Sequence, residues 1–374
     1  MSKHPKRILH VVGGMARAGV ETWLMHVLRS ADRDRMQMDF LVHAGQPCAY
    51  DTEILDRHSK ILRCTAPQGS LTYAREFSRL LKQHNYDAIH SHVHHFSGYL
   101  LRLARRAAMP LRIAHSHSDT SRQDARANWL RRAYLRLTKG WIQAHATHLV
   151  AASRVAGRAL FGGDWDRDAR QRVLHCGIDL APFRDAPERA AGRESLGIAP
   201  EELVIGHTGR FVTAKNHAFL AEIVAETALR RPAVKLLLIG DGPERPIIEQ
   251  KLRNLNLSEK AILAGVRSDV PALLQAIDVF VFPSLWEGLP LTVLEAQASG
   301  LPCVISDIIS RETDILPDLI RRVPLTAGAG HWAAEVLAAE RRPTVSRQQA
   351  LLAVEESSFN IRQSVEELYA LYHA

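Results

Sequence analysis

Two glutamates eight positions apart, Glu287 and Glu295, stand in the run VFPSLWEGLPLTVLEAQASGLPCVISD (281–307). The run predicts a strand ending near Pro283 and Ser284, a loop with Trp286, Glu287 and Gly288, and a helix from about Pro290 to Ser299. Pro290 suits a first helical position, Gly300 suits the C-terminal cap, and Pro302 lies just beyond it. A helix start offers free backbone N–H groups and the positive end of a dipole, which suits a diphosphate. Gly288, Leu289 and Pro290, which lead into that start, are therefore candidate contacts for one. A carboxylate in the loop can accept hydrogen bonds from sugar hydroxyls, and one on the helix can accept both ribose hydroxyls. In outline this is the chemistry of a nucleotide-sugar site.

A second run, HTGRFVTAKNHAF (207–219), follows a strand and opens a helix. Gly209 gives the turn its backbone freedom. Arg210 and Lys215, five apart, converge on a pyrophosphate if the loop folds back, the first as a fork and the second as a point charge. No Walker motif is present, so an ATPase has no support. LLLIGDGPERPIIEQ (236–250) reads as strand, tight turn and helix, with glycines that shape the turn. AGVRSDV (264–270) presents backbone near Gly265 and Val266 to a base. Near the start, Gly13, Gly14 and Gly19 in GGMARAGVET do not fit G-x-G-x-x-G, so a dinucleotide dehydrogenase lacks its fingerprint. Histidines gather at 90, 92, 94, 95, 115 and 117. Alternating histidines on a strand share a face, which raises zinc, but no suitably spaced cysteine or acidic ligand accompanies them.

The elements that must position these residues alternate along the chain. Strand-like runs at 7–14, 38–45, 87–92, 111–117 and 148–153 are separated by helical stretches, and a second series follows at 203–210, 234–242, 261–265, 279–284 and 302–307. Such alternation predicts α/β architecture: two doubly wound Rossmann-like domains facing across a cleft, with ligands at the carboxyl ends of the strands. The domains are expected at 1–180 and 190–357. The segment 179–197, with its prolines and charges, reads as a linker. A helix over 359–374 carries Ile361, Val365, Leu368 and Leu371 at helical spacing.

The run 281–307 resembles the donor signature of the retaining family-4 glycosyltransferases of the GT-B fold: two glutamates separated by seven residues, with Glu-Gly after Phe-Pro-Ser and a short spacer. The resemblance implies that Glu287 contacts the donor sugar and Glu295 the ribose. It implies that Arg210 and Lys215 neutralise the departing diphosphate, and that the loop of Gly14 and Gly19 approaches the donor phosphates and the acceptor. It also implies a histidine near the active centre, for which His117 is the best match, His115 the second and His92 a weaker one. It suggests that the C-terminal helix packs back on the N-terminal domain. The expected activity is retaining transfer of a sugar from a UDP-sugar, with GDP-mannose also fitting, to a glycan or lipid-linked acceptor in polysaccharide synthesis. No cofactor and no metal are expected. The alternatives are a UDP-sugar 2-epimerase of the same fold and a non-catalytic, membrane-associated assembly partner.

Composition bears on partners. The 374 residues are 46% hydrophobic and 24% charged, as in ordinary globular protein, and no apolar run reaches membrane-spanning length. The N-terminus reads as a basic tip running into a strand, without a signal peptide. Four scattered cysteines read as reduced thiols, giving an expected cytoplasmic location. The net charge of +8 divides into +13 for residues 1–180 and −5 for the rest. Ten basic residues between 102 and 139 (Arg102, Arg105, Arg106, Arg112, Arg122, Arg126, Arg131, Arg132, Arg136 and Lys139) interleave with Trp129, Leu130, Tyr134, Leu135 and Trp141. This pattern predicts peripheral contact with an anionic membrane surface. No nucleic-acid-binding motif appears.

Overall fold

A computed structural model of the chain describes residues 4–341 and 345–373. The chain divides into two units: 1–177 together with 361–374, and 178–360.

Unit 1 is built on seven parallel strands: β1 (Lys6–Val12), β2 (Met36–Val42), β3 (Ile61–Arg63), β4 (Ala88–Ser91), β5 (Leu111–Ser116), β6 (His148–Ala151) and β7 (Gln171–Val173). Their order is β3-β2-β1-β4-β5-β6-β7, so the winding reverses between β1 and β4. Strands buried on both faces read as near-continuous apolar runs, and the buried ends of β1 (ILHVV) and β2 (FLV) do so, while the start of β2 alternates. Leu9, Val11, Leu41, Ile89, Ala114 and Leu149 fill one face together with Tyr73, Phe77 and Leu101 from the crossover helices. The register places His10 beside His90, and His90 beside Ile113.

The helix Ile361–Tyr372 belongs to this unit and packs on the helix Gly19–Ser30. Its stripe of Ile361, Val365, Leu368 and Leu371 is buried. Its polar groups are tied down as well. Ser364 Oγ accepts from the Gly177 N–H at 2.9 Å and donates to the His175 carbonyl at 2.7 Å. The Tyr369 hydroxyl accepts from the Asp32 N–H, and the Arg35 guanidinium stacks 3.6 Å from the centroid of the Tyr369 ring.

Unit 2 has six parallel strands: β8 (Leu203–Thr208), β9 (Val234–Ile239), β10 (Ala261–Gly265), β11 (Val279–Phe282), β12 (Cys303–Ser306) and β13 (Ile320–Val323). Their order is β10-β9-β8-β11-β12-β13, which puts the reversal between β8 and β11. Two apolar layers cover the sheet, one around Phe280, Phe282 and Leu294, the other around Leu203, Leu236, Val281 and Trp332.

The segment 179–197, read as a linker, is folded into unit 2. It forms the short helices Ala181–Arg184 and Arg189–Glu194, and Leu180 and Phe183 are buried in the core. Arg193 is 4% exposed; its guanidinium donates to the carbonyls of Ala276, Ala199, Pro200 and Glu202 and pairs with Asp278 at 2.6 Å. Proline and charge marked a break in regular structure, but the burial that absorbs the segment comes from residues distant in sequence.

Candidate active site

In α/β sheets of this kind the loops beyond the carboxyl ends of the strands, next to the reversal, form the binding crevice. In unit 2 these loops are stitched to one another by backbone. Gly209 N–H donates to Ile239 O, Gly240 N–H to Gly265 O, and Phe211 N–H to Asp241 O, at 2.8–3.0 Å. The approach is so close that a Cβ on Gly240, whose φ is +138°, would lie 2.1 Å from the Gly209 oxygen; one on Gly242 would lie 2.5 Å from the Phe211 oxygen. The glycines of the GDG turn thus let the loops after β8 and β9 touch, which holds the 209–215 loop in place.

Lys215 ends a single 3₁₀ turn (Thr213–Lys215), and Asn216 follows in the left-handed region at φ +55°. Asparagine tolerates this conformation, and its Nδ2 donates to Pro283 O at 3.2 Å, joining the loops after β8 and β11. Leu285 N–H donates to Ala214 O at 2.8 Å across the same seam. The consequence is an ion pair: Lys215 Nζ lies 2.7 Å from Glu287 Oε1, with side chains only 16% and 13% exposed. The ammonium also sits 4.7 Å from the centroid of the Phe282 ring, a cation–π contact worth about 0.5–2 kcal/mol. His207 stacks beneath Phe282 and donates from Nδ1–H to the Val281 carbonyl at 2.9 Å; burial pushes its pKa well down, so it adds no charge next to Lys215. A Cβ on Gly209 would touch Lys215 Cδ and Cε at 3.3–3.4 Å, so the glycine leaves the lysine room to lie across the turn. Arg210 is exposed beside it.

The helix after β11 runs Leu291–Ala298. Pro290 is its N-cap, with extended backbone, and not its first residue as the sequence suggested. Gly288 and Leu289 lead in, and Gly300 closes the helix end at φ +73°. Glu295 is half-buried on this helix. Desolvation pushes its carboxyl up to about 7. Among the described residues, the hydroxyls of Thr292, one turn before it, and of Ser284 are buried without a hydrogen-bond partner. Such hydroxyls are free to bond to water or to a ligand. On the neighbouring loop, Gly265 has φ +70° and Val266 is 54% exposed, a free apolar surface.

Unit 1 holds the remaining candidates. Gly14 has an internal reason to be glycine: a Cβ there would lie 2.9 Å from Ala44 Cβ and 3.0 Å from Cys48 Sγ. Gly19 opens the helix Gly19–Ser30 with free space where a side chain would be. His117 lies just past β5. Its Nε2 is 2.8 Å from His92 Nδ1 and its Nδ1 is 3.7 Å from Cys176 Sγ, so both ring nitrogens have neighbours inside the unit. Burial pushes its pKa down to about 3, keeping the imidazole neutral. His10, His90, His92 and His115 stack around it with Trp23.

The structure therefore brings Glu287, Lys215 and Gly209 together, with Glu295 on the adjoining helix and Val266 on the loop beyond. Gly14, Gly19 and His117 belong to the other unit. Sequence reasoning missed Phe282 under the lysine, Asn216 as the loop clamp, Gly240 as a contact glycine, and His10 and Cys176 beside the histidines. The αL-tolerant Asn216 directly after Lys215 was the one local signal available.

Two doubly wound parallel domains are the architecture of the GT-B glycosyltransferases. The whole chain superposes on solved structures of that class. HepE of Anabaena in complex with UDP and glucose matches with a TM-score of 0.80 at 19% identity, covering 98% of each chain. Sucrose-phosphate synthase from Thermosynechococcus elongatus matches at 0.78 and 19%, again over 98% of each. Residues 6–177 match the glycosyl transferase 4-like domain, and 202–323 match glycosyl transferases group 1. EpsF of Bacillus subtilis (strain 168), which carries a glycosyltransferase name, is 36% identical over 379 residues, covering 100% of this chain and 98% of that one. The chain belongs to this glycosyltransferase family. A UDP-Gal:alpha-D-GlcNAc-diphosphoundecaprenol alpha-1,3-galactosyltransferase of Escherichia coli is 30% identical over 239 residues, covering 62% of this chain and 60% of that protein.

Proposed function

We propose that this glycosyltransferase moves a sugar from a UDP-sugar, with retention at the anomeric carbon, to a lipid-linked saccharide in polysaccharide assembly. The observation that carries the reading is the Lys215–Glu287 pair set beside the helix of Glu295. In the unliganded protein Glu287 neutralises Lys215. An entering diphosphate takes over the lysine, Arg210 supplies a second cation, and the released carboxylate turns to the sugar hydroxyls. The N–H groups at the start of Leu291–Ala298 face the growing negative charge on the leaving group. Glu295 accepts the ribose hydroxyls, and Val266 lies against the base. Charge is met by side chains and backbone, so no step calls for a metal. With no carboxylate pair arranged as in retaining glycosidases, the reading assigns proton acceptance to the diphosphate itself. Gly19 and His117 are assigned to the acceptor side.

The UDP series is favoured by two relatives: HepE was solved with UDP-glucose, and the E. coli relative is named for UDP-Gal and a diphosphoundecaprenol-linked acceptor. A lipid-linked acceptor agrees with the surface of unit 1. On the helix Trp129–His145, Trp129, Leu130 and Leu137 are 75%, 60% and 51% exposed, flanked by exposed Arg126, Arg131, Arg132 and Arg136. The side chain of Arg122 lies outside the described residues. Among the described residues no helix is long and apolar enough to cross a membrane, so the proposed contact is peripheral. The test is calorimetry with UDP-, GDP- and ADP-sugars, followed by turnover on undecaprenyl-diphosphate-linked GlcNAc. Tight binding of one UDP-sugar, and a product with retained anomeric configuration, is the expected result. Binding of GDP-sugars alone, inversion, or donor epimerisation without transfer refutes the respective part.

A further inference from the structure

Outside the donor loops, the densest group of metal-ligating side chains is the imidazole cluster of unit 1. His92, His115 and His117 each present one ring nitrogen such that all three lie within 4.8 Å of one another. A second triad, His10, His90 and His92, meets the same criterion. The hydrogen bonds decide between them. His90 is committed on both sides, Nδ1 to the Tyr372 hydroxyl at 2.6 Å and Nε2 to His115 Nδ1 at 3.0 Å, and an ion at the second triad would break one of these. At the first triad nothing outside it is lost. His115 Nε2 is buried and has no partner among the described residues. His92 Nδ1 and His117 Nε2 are paired only with each other, at 2.8 Å.

The opposite nitrogen of each of these three rings is already oriented. His115 Nδ1 meets His90, which meets Tyr372; His92 Nε2 meets His10 Nδ1 at 3.0 Å; His117 Nδ1 faces Cys176 Sγ at 3.7 Å. Metal-binding histidines characteristically have the far nitrogen held in this way, which fixes ring and tautomer. Zn–N bonds of about 2.0–2.1 Å in a tetrahedron require nitrogens about 3.3 Å apart, so His92 and His117, now 2.8 Å apart, must separate by about half an ångström, while the other pairs, all within 4.8 Å, settle to the same spacing. His92 and His117 are partly exposed while His115 is buried, which leaves one open side for entry and for a fourth ligand.

We propose that His92, His115 and His117 form a binding site for a borderline first-row divalent ion, Zn²⁺ by preference, with His10, His90, Tyr372 and Cys176 orienting the three ligands. Three imidazoles and an open position suit Zn²⁺ or Co²⁺ better than Mg²⁺ or Ca²⁺, which take oxygen ligands. The site lies in unit 1, whereas Lys215 and Glu287 belong to unit 2; it shares His117 with the acceptor-side assignment, but its test is separate from that reading, because binding is measured without turnover.

The experiment is a titration of untagged, chelator-stripped full-length chain with Zn²⁺, competed against a chromophoric chelator. One equivalent is expected to bind saturably. His115→Gln is expected to weaken it by more than about a hundredfold, and Tyr372→Phe, which only frees His90, by about tenfold. Absence of stoichiometric binding, or equal affinity in wild type and both variants, overturns the proposal. Should His115→Gln lose its near-ultraviolet circular dichroism, Co²⁺ on the wild type decides: intense visible bands of a four-coordinate ion support the site, and the pale spectrum of hydrated Co²⁺ overturns it.

Discussion

Glu295 gives the sharpest test of the donor site, because one carboxyl controls two observables with opposite sign. Its neighbourhood raises it to about 7. A protonated carboxyl donates one hydrogen bond and accepts poorly, whereas a ribose diol needs a carboxylate acceptor. With a pKa near 7, about nine in ten molecules are ionised at pH 8 and about one in ten at pH 6, so the Kd for a UDP-sugar should weaken by roughly tenfold for each pH unit below 7. The diphosphate diester of the donor stays ionised throughout, so the slope belongs to the protein. Stability runs the other way. The folded state holds a proton between pH 4.5 and 7 that the unfolded state has released, so this group's contribution is present below about 4.5 and is lost as pH rises through about 7. Glu295→Gln, a permanent mimic of the protonated acid, should therefore flatten the pH dependence of binding at a weak level and raise Tm at pH 8. Calorimetry from pH 5.5 to 8.5 and thermal melts at pH 5 and 8 measure both. A wild-type Kd constant across that range, or a Glu295→Gln variant with the wild-type slope, refutes the assignment of Glu295 to the ribose.

Lys215→Ala should lower turnover by about 10²–10³, the usual cost of removing one group that stabilises developing charge, with the fold intact by circular dichroism. Gly240→Ala places a methyl 2.1 Å from the Gly209 oxygen at φ +138°; it should cost at least about 1–3 kcal/mol in urea denaturation and abolish donor binding, whereas Gly19→Ala, with open space, should leave stability unchanged. EDTA should leave donor affinity unaltered, as read by calorimetry, because Lys215 and Arg210 meet the diphosphate. Replacing Arg131 and Arg132 by glutamate should release the protein from phosphatidylglycerol vesicles in flotation, at about 1 kcal/mol for each cation lost, and Trp129→Ser should weaken it at any salt concentration.

Much of unit 2 was legible because its signals are local. A proline before a helix, a glycine after it and a glutamate at a fixed distance need only neighbouring residues to be read, and the error at Pro290 was one position. The strand alternation likewise gave both doubly wound domains. Information that lives between strands was not legible. Alternation placed His90 and His92, and His115 and His117, on shared faces, but nothing in the spacing announces that β1 lies between β2 and β4 and so delivers His10 to the same place. No cysteine stands near the histidines in sequence, yet folding brings Cys176, 59 positions from His117, to 3.7 Å from its ring. Arg193 looked like a linker charge because five hydrogen-bonding partners for one guanidinium cannot be seen in a composition.

The helix Ile361–Tyr372 gives unit 1 a particular history. Its residues up to 177 leave the ribosome early, but the helix that covers Gly19–Ser30 and the hydroxyl that satisfies His90 are synthesised only after the whole of unit 2. Domains generally fold as units from the N-terminus during synthesis. Here unit 1 must wait, with an apolar helix face uncovered and a buried imidazole without its tyrosine, until the helix Ile361–Tyr372 arrives. A nascent chain stalled anywhere in unit 2 would thus carry an unfinished unit 1 with that helix face exposed.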